Sequence, residues 1–250
     1  MNINGNTILI TGGTSGIGRA LAEQLHTRGN QVIIAGRRQE LLDEITEAYP
    51  TIRGIRVDVE DGEALQAFAA GVVAEFPDLN VLVNNAGISR MEDLTGDADF
   101  ATSRSIVQTN ILGTLHLTTA LLPVLQRQPS ATIINTTSGL AFVPRYNFLT
   151  YCATKAFLHS WTQSLRIQLR EAEIEVLELI PPYVQTELAG PHQARDPNAM
   201  PLDAYISEVM ARLEDHDYPD GEILVERVKQ LRFAERKGVY DQVYAMLNGG

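Results

Sequence analysis

Ser138, Tyr151 and Lys155 are the residues of this chain whose types and spacing do chemistry most readily. A Tyr and a Lys four apart project from one face of a helix, so the ammonium can lie close to the phenol. A free phenol has a pKa of about 10, too high to trade protons efficiently near neutral pH. A unit positive charge roughly 5 Å away, at an effective dielectric near ~20, favours the phenolate by about 3 kcal/mol. That lowers the phenol's pKa by roughly two, and a second nearby positive charge would bring it the rest of the way. Alone, such a pair is equally the signature of an exposed helix pair, so the elements around it decide.

Residues 7–18 read TILITGGTSGIG, a short apolar run followed by a glycine cluster, and Ala20, Leu21, Ala22 and Leu25 continue at helical spacing. This is a strand, a tight turn and a helix start, the context of a dinucleotide-binding loop. Gly12 makes the turn, Gly16 lets the backbone approach a pyrophosphate and Gly18 permits close helix–strand packing. Thr14, Ser15 and Ile17 complete the loop, and the phosphates sit on the free amides at the helix start. The spacing G-x-x-x-G-x-G is one residue longer than the common G-x-G-x-x-G, and an ordinary βα turn is the competing reading.

Strand-like segments at 7–11, 31–35, 52–57, 80–84, 131–137 and 175–180 alternate with helical patterns at 17–28, 38–48, 61–75, 98–127 and 152–171. Such alternation predicts an α/β fold, a doubly wound parallel sheet of the Rossmann type covered on both faces. The expected strand order is 3-2-1-4-5-6, with the ligand at the carboxyl ends where the order reverses. With no repeat or linker, residues 1–250 read as one domain. Helical stripes at Leu202, Ile206, Val209, Met210 and Leu213, at Leu224, Val228 and Leu231, and at Tyr240, Val243, Tyr244 and Leu247 predict a helical C-terminal tail. A seventh strand is therefore doubtful, although the short run Ile223–Val225 is ambiguous.

The net charge of −11 argues against nonspecific binding to nucleic acid or an anionic membrane. No apolar run approaches the length that spans a bilayer, and the first strand begins almost at Met1. Cys152, the single cysteine, offers no internal disulfide or multi-cysteine zinc site, the five histidines lack metal-ligand spacing, and no metal is expected. A soluble, cytoplasmic protein is the expectation.

With TGGTSGIG, Asn84–Gly87 (NNAG), Asn110, Ser138 and Tyr151–Lys155 (YCATK) in this order, the chain resembles the short-chain dehydrogenase/reductase family over roughly residues 5–190. The resemblance implies a nicotinamide cofactor and hydride transfer between it and a carbonyl or alcohol. It assigns Tyr151 as general acid/base, and Lys155 as its pKa modulator and a ligand of the nicotinamide ribose. Ser138 would bond the substrate oxygen, and Asn110 would hold a water of a proton relay reaching Lys155. Asp58 and Val59 fall where the family contacts adenine, Asn84 and Ala86 line the adenine-ribose side, and Gly87 lies along the nicotinamide. Pro181, Val184 and Thr186 match the carboxamide-binding segment, with Pro182 replacing the family's glycine and removing an amide donor. Asn110 as a buried polar residue and Asp58 as a helix cap are the alternatives. Within the family, TSGLAF, YCATK and PPYVQT look like a branch typified by an oxidoreductase of the D-alanine–lipoteichoic acid operon.

Cofactor choice has its own physical argument. An acid about 20 residues past the glycines would bind the ribose hydroxyls of NAD. Here that place reads Ala35-Gly36-Arg37-Arg38, with no carboxylate and two guanidiniums able to fork onto a 2′-phosphate. Both arginines also stand at a helix start, the unfavourable end of the dipole for a cation. NADP(H) is therefore preferred, with Arg37 the leading candidate and NAD(H) possible; exposed surface arginines are the alternative. Leu140, Phe142, Tyr146, Phe148 and Tyr183 are expected as substrate-pocket walls, and residues 187–220 as a substrate loop or lid. The resemblance also implies a homodimer through 98–127 and 152–171. The expected function is an NADP(H)-dependent oxidoreductase acting on a small carbonyl or alcohol. A regulatory nucleotide sensor with little turnover is the main rival, and a sugar-nucleotide epimerase is disfavoured by length and glycine spacing.

Overall fold

A computed structural model describes residues 1–96 and 99–249. Ala98, where the expected fourth helical segment begins, and Gly250 lie outside the described residues. The first strand, β1 (Thr7–Thr11), alternates Ile8 and Ile10 into one core and Leu9 into another, and β2 (Gln31–Gly36) repeats this with Val32 and Ile34 against Ile33 and Ala35. Burial on both faces is why these strands read as continuous apolar runs. The remaining strands are β3 (Arg53–Arg56), β4 (Val81–Asn84), β5 (Ala131–Thr136), β6 (Ile174–Ile180) and β7 (Glu222–Leu224). All pair in parallel in the order β3-β2-β1-β4-β5-β6-β7.

Helices α1 (Gly16–Thr27) and α2 (Gln39–Ala48) cover the first face, together with α7 (Leu202–Glu214). Helices α3 (Gly62–Glu75), α5 (Thr114–Leu125) and α6 (Leu149–Gln168) cover the second. The expected long helix at 98–127 runs unbroken from Phe100 to Leu125, as α4 (Phe100–Val107), a π-helical turn (Gln108–Gly113) and α5 in helical continuity. Two short elements, α8 (Lys229–Arg232) and α9 (Tyr240–Asn248), end the tail.

The doubtful seventh strand exists. Glu222–Leu224 pairs with Glu178, Leu179 and Ile180 of β6, so the helical stripe expected at Leu224, Val228 and Leu231 holds only from Val228 onward. Three residues are too few for a period to distinguish strand from helix; the free edge of β6 decides. The segment 187–220 is likewise divided, because α7 carries the buried Tyr205, Ile206 and Val209 into the core, with irregular stretches before and after it.

The order reverses between β1 and β4, and the glycine loop lies at this switch point. Gly12 has φ +64°, and a Cβ there would come within 2.9 Å of Ala86 Cα. A Cβ on Gly18 would meet the Gly12 carbonyl oxygen at 2.3 Å, so α1 can start this close to β1 only with glycine. Gly18→Ala must therefore push helix from strand, an overpacking cost of about 2 kcal/mol. Thermal unfolding should show a midpoint about 5 °C lower; an unchanged midpoint would mean the loop yields freely.

Candidate active site

One cleft at the carboxyl ends of the strands gathers most of the expected residues. Gly12, Thr14, Ser15, Gly16 and Ile17 line it from the glycine loop, and Arg37, Arg38 and Val59 from the ends of β2 and β3. Ala86 and Gly87 follow β4, Ser138 follows β5, Tyr151 and Lys155 come from α6, and Pro181, Val184 and Thr186 follow β6. Gly18 lies just inside α1, behind the loop, and the Asp58 carboxylate accepts from the Glu60 amide beside the cleft.

Tyr151 and Lys155 share the inner face of α6 and are both buried, with Lys155 Nζ 5.7 Å from the centre of the phenol ring. The ammonium donates to the Thr136 carbonyl at 2.8 Å. The simple expectation of a lowered phenol pKa needs correction for the protein's own groups. Burial pushes Tyr151 up to about 12, against a lowering by the Ser138 hydroxyl. Burial also brings Lys155 down to about 8, against the field of Glu178. The low-dielectric setting that strengthens the pair's attraction first penalises each charged form. At neutral pH Tyr151 is therefore a phenol beside an ammonium. Ser138 Oγ accepts from the Leu140 amide, which fixes the hydroxyl at the cleft wall.

Other expected residues have different surroundings. Asn110 is fully buried in the π-helical turn. Its Oδ1 accepts from the Ile88 amide, while its Nδ2 donates to the Ile88 carbonyl and Thr154 Oγ1. The side chain thus braces the loop after β4 against α6. Asn84 is buried in the sheet, donating to Thr118 Oγ1 and Asn135 Oδ1, and its neighbour Asn85 reaches the cleft instead. None of the five expected substrate walls lines the main cleft. Phe148 and Leu140 pack with Ile106, Tyr151 and Cys152, and Phe142 stacks edge-on to His159. Tyr146 is exposed, and Tyr183 donates to Asp196.

Gln193, which no motif marks, closes the segment after β6. Its buried amide donates to the Val184 carbonyl and Thr186 Oγ1, and its oxygen accepts from the Ala189 amide. Glu92 is a second such residue. It accepts from the Thr150 amide and hydroxyl and from Ser103 Oγ, tying the start of α6 to α4 one residue before Tyr151. Burial raises its pKa, but these bonds outweigh it and hold the carboxyl below its ordinary range.

The cleft fits a phosphorylated dinucleotide. Its loop leaves no room for side chains at Gly12, and Thr136 Oγ1, on the cleft wall, is buried with no partner among the described residues. Arg38 Nη2 lies 2.7 Å from Ser15 Oγ and 3.4 Å from Thr14 Oγ1, across the loop itself. Arg37 Nη1 sits 3.9 Å from both Asp58 and Glu60, half exposed.

Comparison with known proteins agrees with this geometry. The short chain dehydrogenase family profile matches residues 6–197. The uncharacterized oxidoreductase DltE of Bacillus subtilis is 39% identical, over 99% of this chain and 98% of its own length. An NADP-dependent 3-hydroxy acid dehydrogenase of Schizosaccharomyces pombe is 30% identical, over 75% of this chain and 74% of its own. The fold is shared with a short chain dehydrogenase of Burkholderia cenocepacia solved with NADP, at a TM-score of 0.83 and 24% identity, covering 99% of both chains. The expectation raised by the motif order is met: this chain is an oxidoreductase of the short-chain dehydrogenase/reductase family.

Proposed function

We propose that the chain transfers a hydride between NADP(H) and a small carbonyl or alcohol substrate, with Tyr151 as general acid/base. The observation that carries this reading is convergence: Ser138, Tyr151 and Lys155 line the same cleft as the glycine loop and the two arginines. When bound, the nicotinamide supplies or accepts the hydride. Tyr151 gives its proton to the oxygen of a carbonyl undergoing reduction and takes it back in oxidation, while Ser138 Oγ bonds that oxygen. Lys155 stabilises the phenolate that remains. Arg37 and Arg38 hold the 2′-phosphate, and the NADP dependence named for the fission-yeast relative supports that choice. Asn110 positions rather than reacts, because its side chain is already bonded to Ile88 and Thr154. Gln193, seated on Val184 and Thr186, closes the irregular segment over the carboxamide side.

The test is a panel of carbonyls and alcohols followed by nicotinamide absorbance with NADPH and NADH. Turnover with NADPH on at least one member is expected. Tight NADPH binding without turnover on any member would favour the regulatory sensor instead. We further propose a homodimer, since Phe100, Leu112 and Phe157 expose large apolar side chains on the segments expected to pair. Light scattering on a sizing column should give twice the chain mass of 27.5 kDa; a monomer at micromolar concentration would remove that assignment.

A further inference from the structure

Behind Lys155 a row of polar side chains crosses the sheet. Asn84, Asn135, Glu178 and Glu222 are register partners on β4, β5, β6 and β7, and all four are buried. Asn84 is satisfied by Thr118 of α5, and Asn135 by Thr162 of α6. The two acids are costlier: like charges directly opposite on neighbouring strands destabilise a sheet, and a buried carboxylate needs partners. Glu222 is held at both oxygens by Arg232, at 2.7 Å each. Glu178, fully buried, accepts from Thr137 Oγ1 at 2.7 Å and has His159 Nδ1 at 2.9 and 3.0 Å from its two oxygens. A carboxylate only accepts, so the Nδ1–H donates.

The row matters because of what stands above it. Tyr151, Lys155 and His159 are spaced four apart along α6, so acid/base, ammonium and imidazole form one stripe on the buried side. We propose that Glu178 is a positioning residue for the Tyr151–Lys155 pair: its carboxylate, oriented by His159 and Thr137, holds Lys155 in the charged form against the cost of burial. This rests on the oxidoreductase reading above. The charged or titratable groups around the pair are few. Tyr151 and His159 stand one turn either side of Lys155 on α6 with Cys152 beside the phenol, Glu178 of β6 bonds His159 and Thr137, the residue after the Thr136 whose carbonyl holds the ammonium, and Asn110 on the π-helical turn is neutral. Glu178 in turn has His159 of α6, Glu222 of β7 and Arg232 of α8 around it. Arg232 pairs with Glu222 and also lies in the field of Glu178, and Lys155 is the buried cation on the other side of that carboxylate. The ammonium's position is already marginal, since burial takes it down to about 8. Without the carboxylate, Lys155 would lose its charge near neutral pH, and with it the ability to stabilise a phenolate.

The chain's only lysines are Lys155, Lys229 and Lys237, so carbon-13 labelling at lysine Cε gives a readable titration in the protein without nucleotide. Lys229→Arg and Lys237→Arg assign the Lys155 signal. Glu178→Gln should move its midpoint down by about one pH unit, because a nearby opposite charge that favours the ammonium is lost. His159→Gln, which keeps the carboxylate, should not lower it. In the kcat/KM profile for carbonyl reduction, the Glu178→Gln defect should grow from about twofold at pH 7 to about fivefold at pH 8, following the charged fraction of Lys155. If Glu178→Gln does not fold, the apolar set Glu178→Leu, His159→Leu and Thr137→Val removes the charge together with both of its donors, and the same fall is expected. A midpoint within about 0.3 of wild type, or an equal fall in His159→Gln, would overturn the proposal. A wild-type protein without turnover would sink the oxidoreductase reading alone, because the titration does not depend on it.

Discussion

Tyr151→Phe should lower kcat by about 10³-fold or more, within the range of about 10²–10⁴ that a positioned general acid contributes. The phenol is the one proton-bearing group on α6 facing the cleft that is uncharged and protonated at neutral pH, since burial holds it near 12. Removing its hydroxyl leaves the ring packed among Ile106, Phe148 and Cys152, so the fold should be kept. The glycine loop and both arginines lie on other elements, and NADPH affinity measured by fluorescence titration should change by less than about tenfold, since at most one neutral hydrogen bond is lost. Turnover within tenfold of wild type would assign the proton to another group. Ser138 stands nearest in role, but its hydroxyl is a far weaker acid than a phenol.

How much of this was legible in the sequence follows from the range of each signal. Glycine spacing, strand alternation and the Tyr–Lys interval are local, and each fixes geometry within a few residues. They placed the switch point, the loop and the inner face of α6 correctly. Signals that depend on distant partners were weaker. Ile223 and Leu224 are apolar in either a strand or a helix, and the exposed edge of β6 selects the strand. Phe142 has the character of a pocket wall, and sequence alone does not show that the Arg232 guanidinium, 4.6 Å from its ring, and the edge of His159 are its neighbours. Asn84 sits in a cofactor motif, but register with Asn135 turns it into the sheet. The burial of Glu178 is the least visible, because β6 carries two acids, Glu175 and Glu178, and which of them is buried is readable only once His159 and Thr137 are seen against it. Even the phenol's acidity needed the structure: spacing gives the ammonium's attraction, whereas the opposing desolvation depends on everything packed around the pair.

Replacing both Arg37 and Arg38 with alanine should weaken NADPH binding by about 10²-fold or more, while NADH affinity changes by less than about threefold. Each charge-assisted hydrogen bond to a phosphate contributes about 1.5–3 kcal/mol, and only NADPH carries the 2′-phosphate. The two arginines need not contribute equally. Arg37 leads on sequence grounds, directly after the β2 glycine, but its guanidinium stands 3.9 Å from both Asp58 and Glu60. Those carboxylates compete with a phosphate for the same charge. Arg38 instead lies across Ser15 and Thr14, neutral hydroxyls at the rim of the glycine loop. It has no acid to leave before gripping an anion, and as the residue preceding α2 it meets the positive end of that helix unaided. A 2′-phosphate between the guanidiniums would relieve this repulsion, so stability and affinity should move in opposite directions on substitution. Arg38→Ala alone should raise the unfolding midpoint of the protein without nucleotide slightly, and lower the additional stabilisation by NADPH. Equal loss of NADH and NADPH affinity in the double variant would show that the arginines shape the loop rather than read the phosphate, and the preference for NADP(H) would then have to come from elsewhere in the cleft.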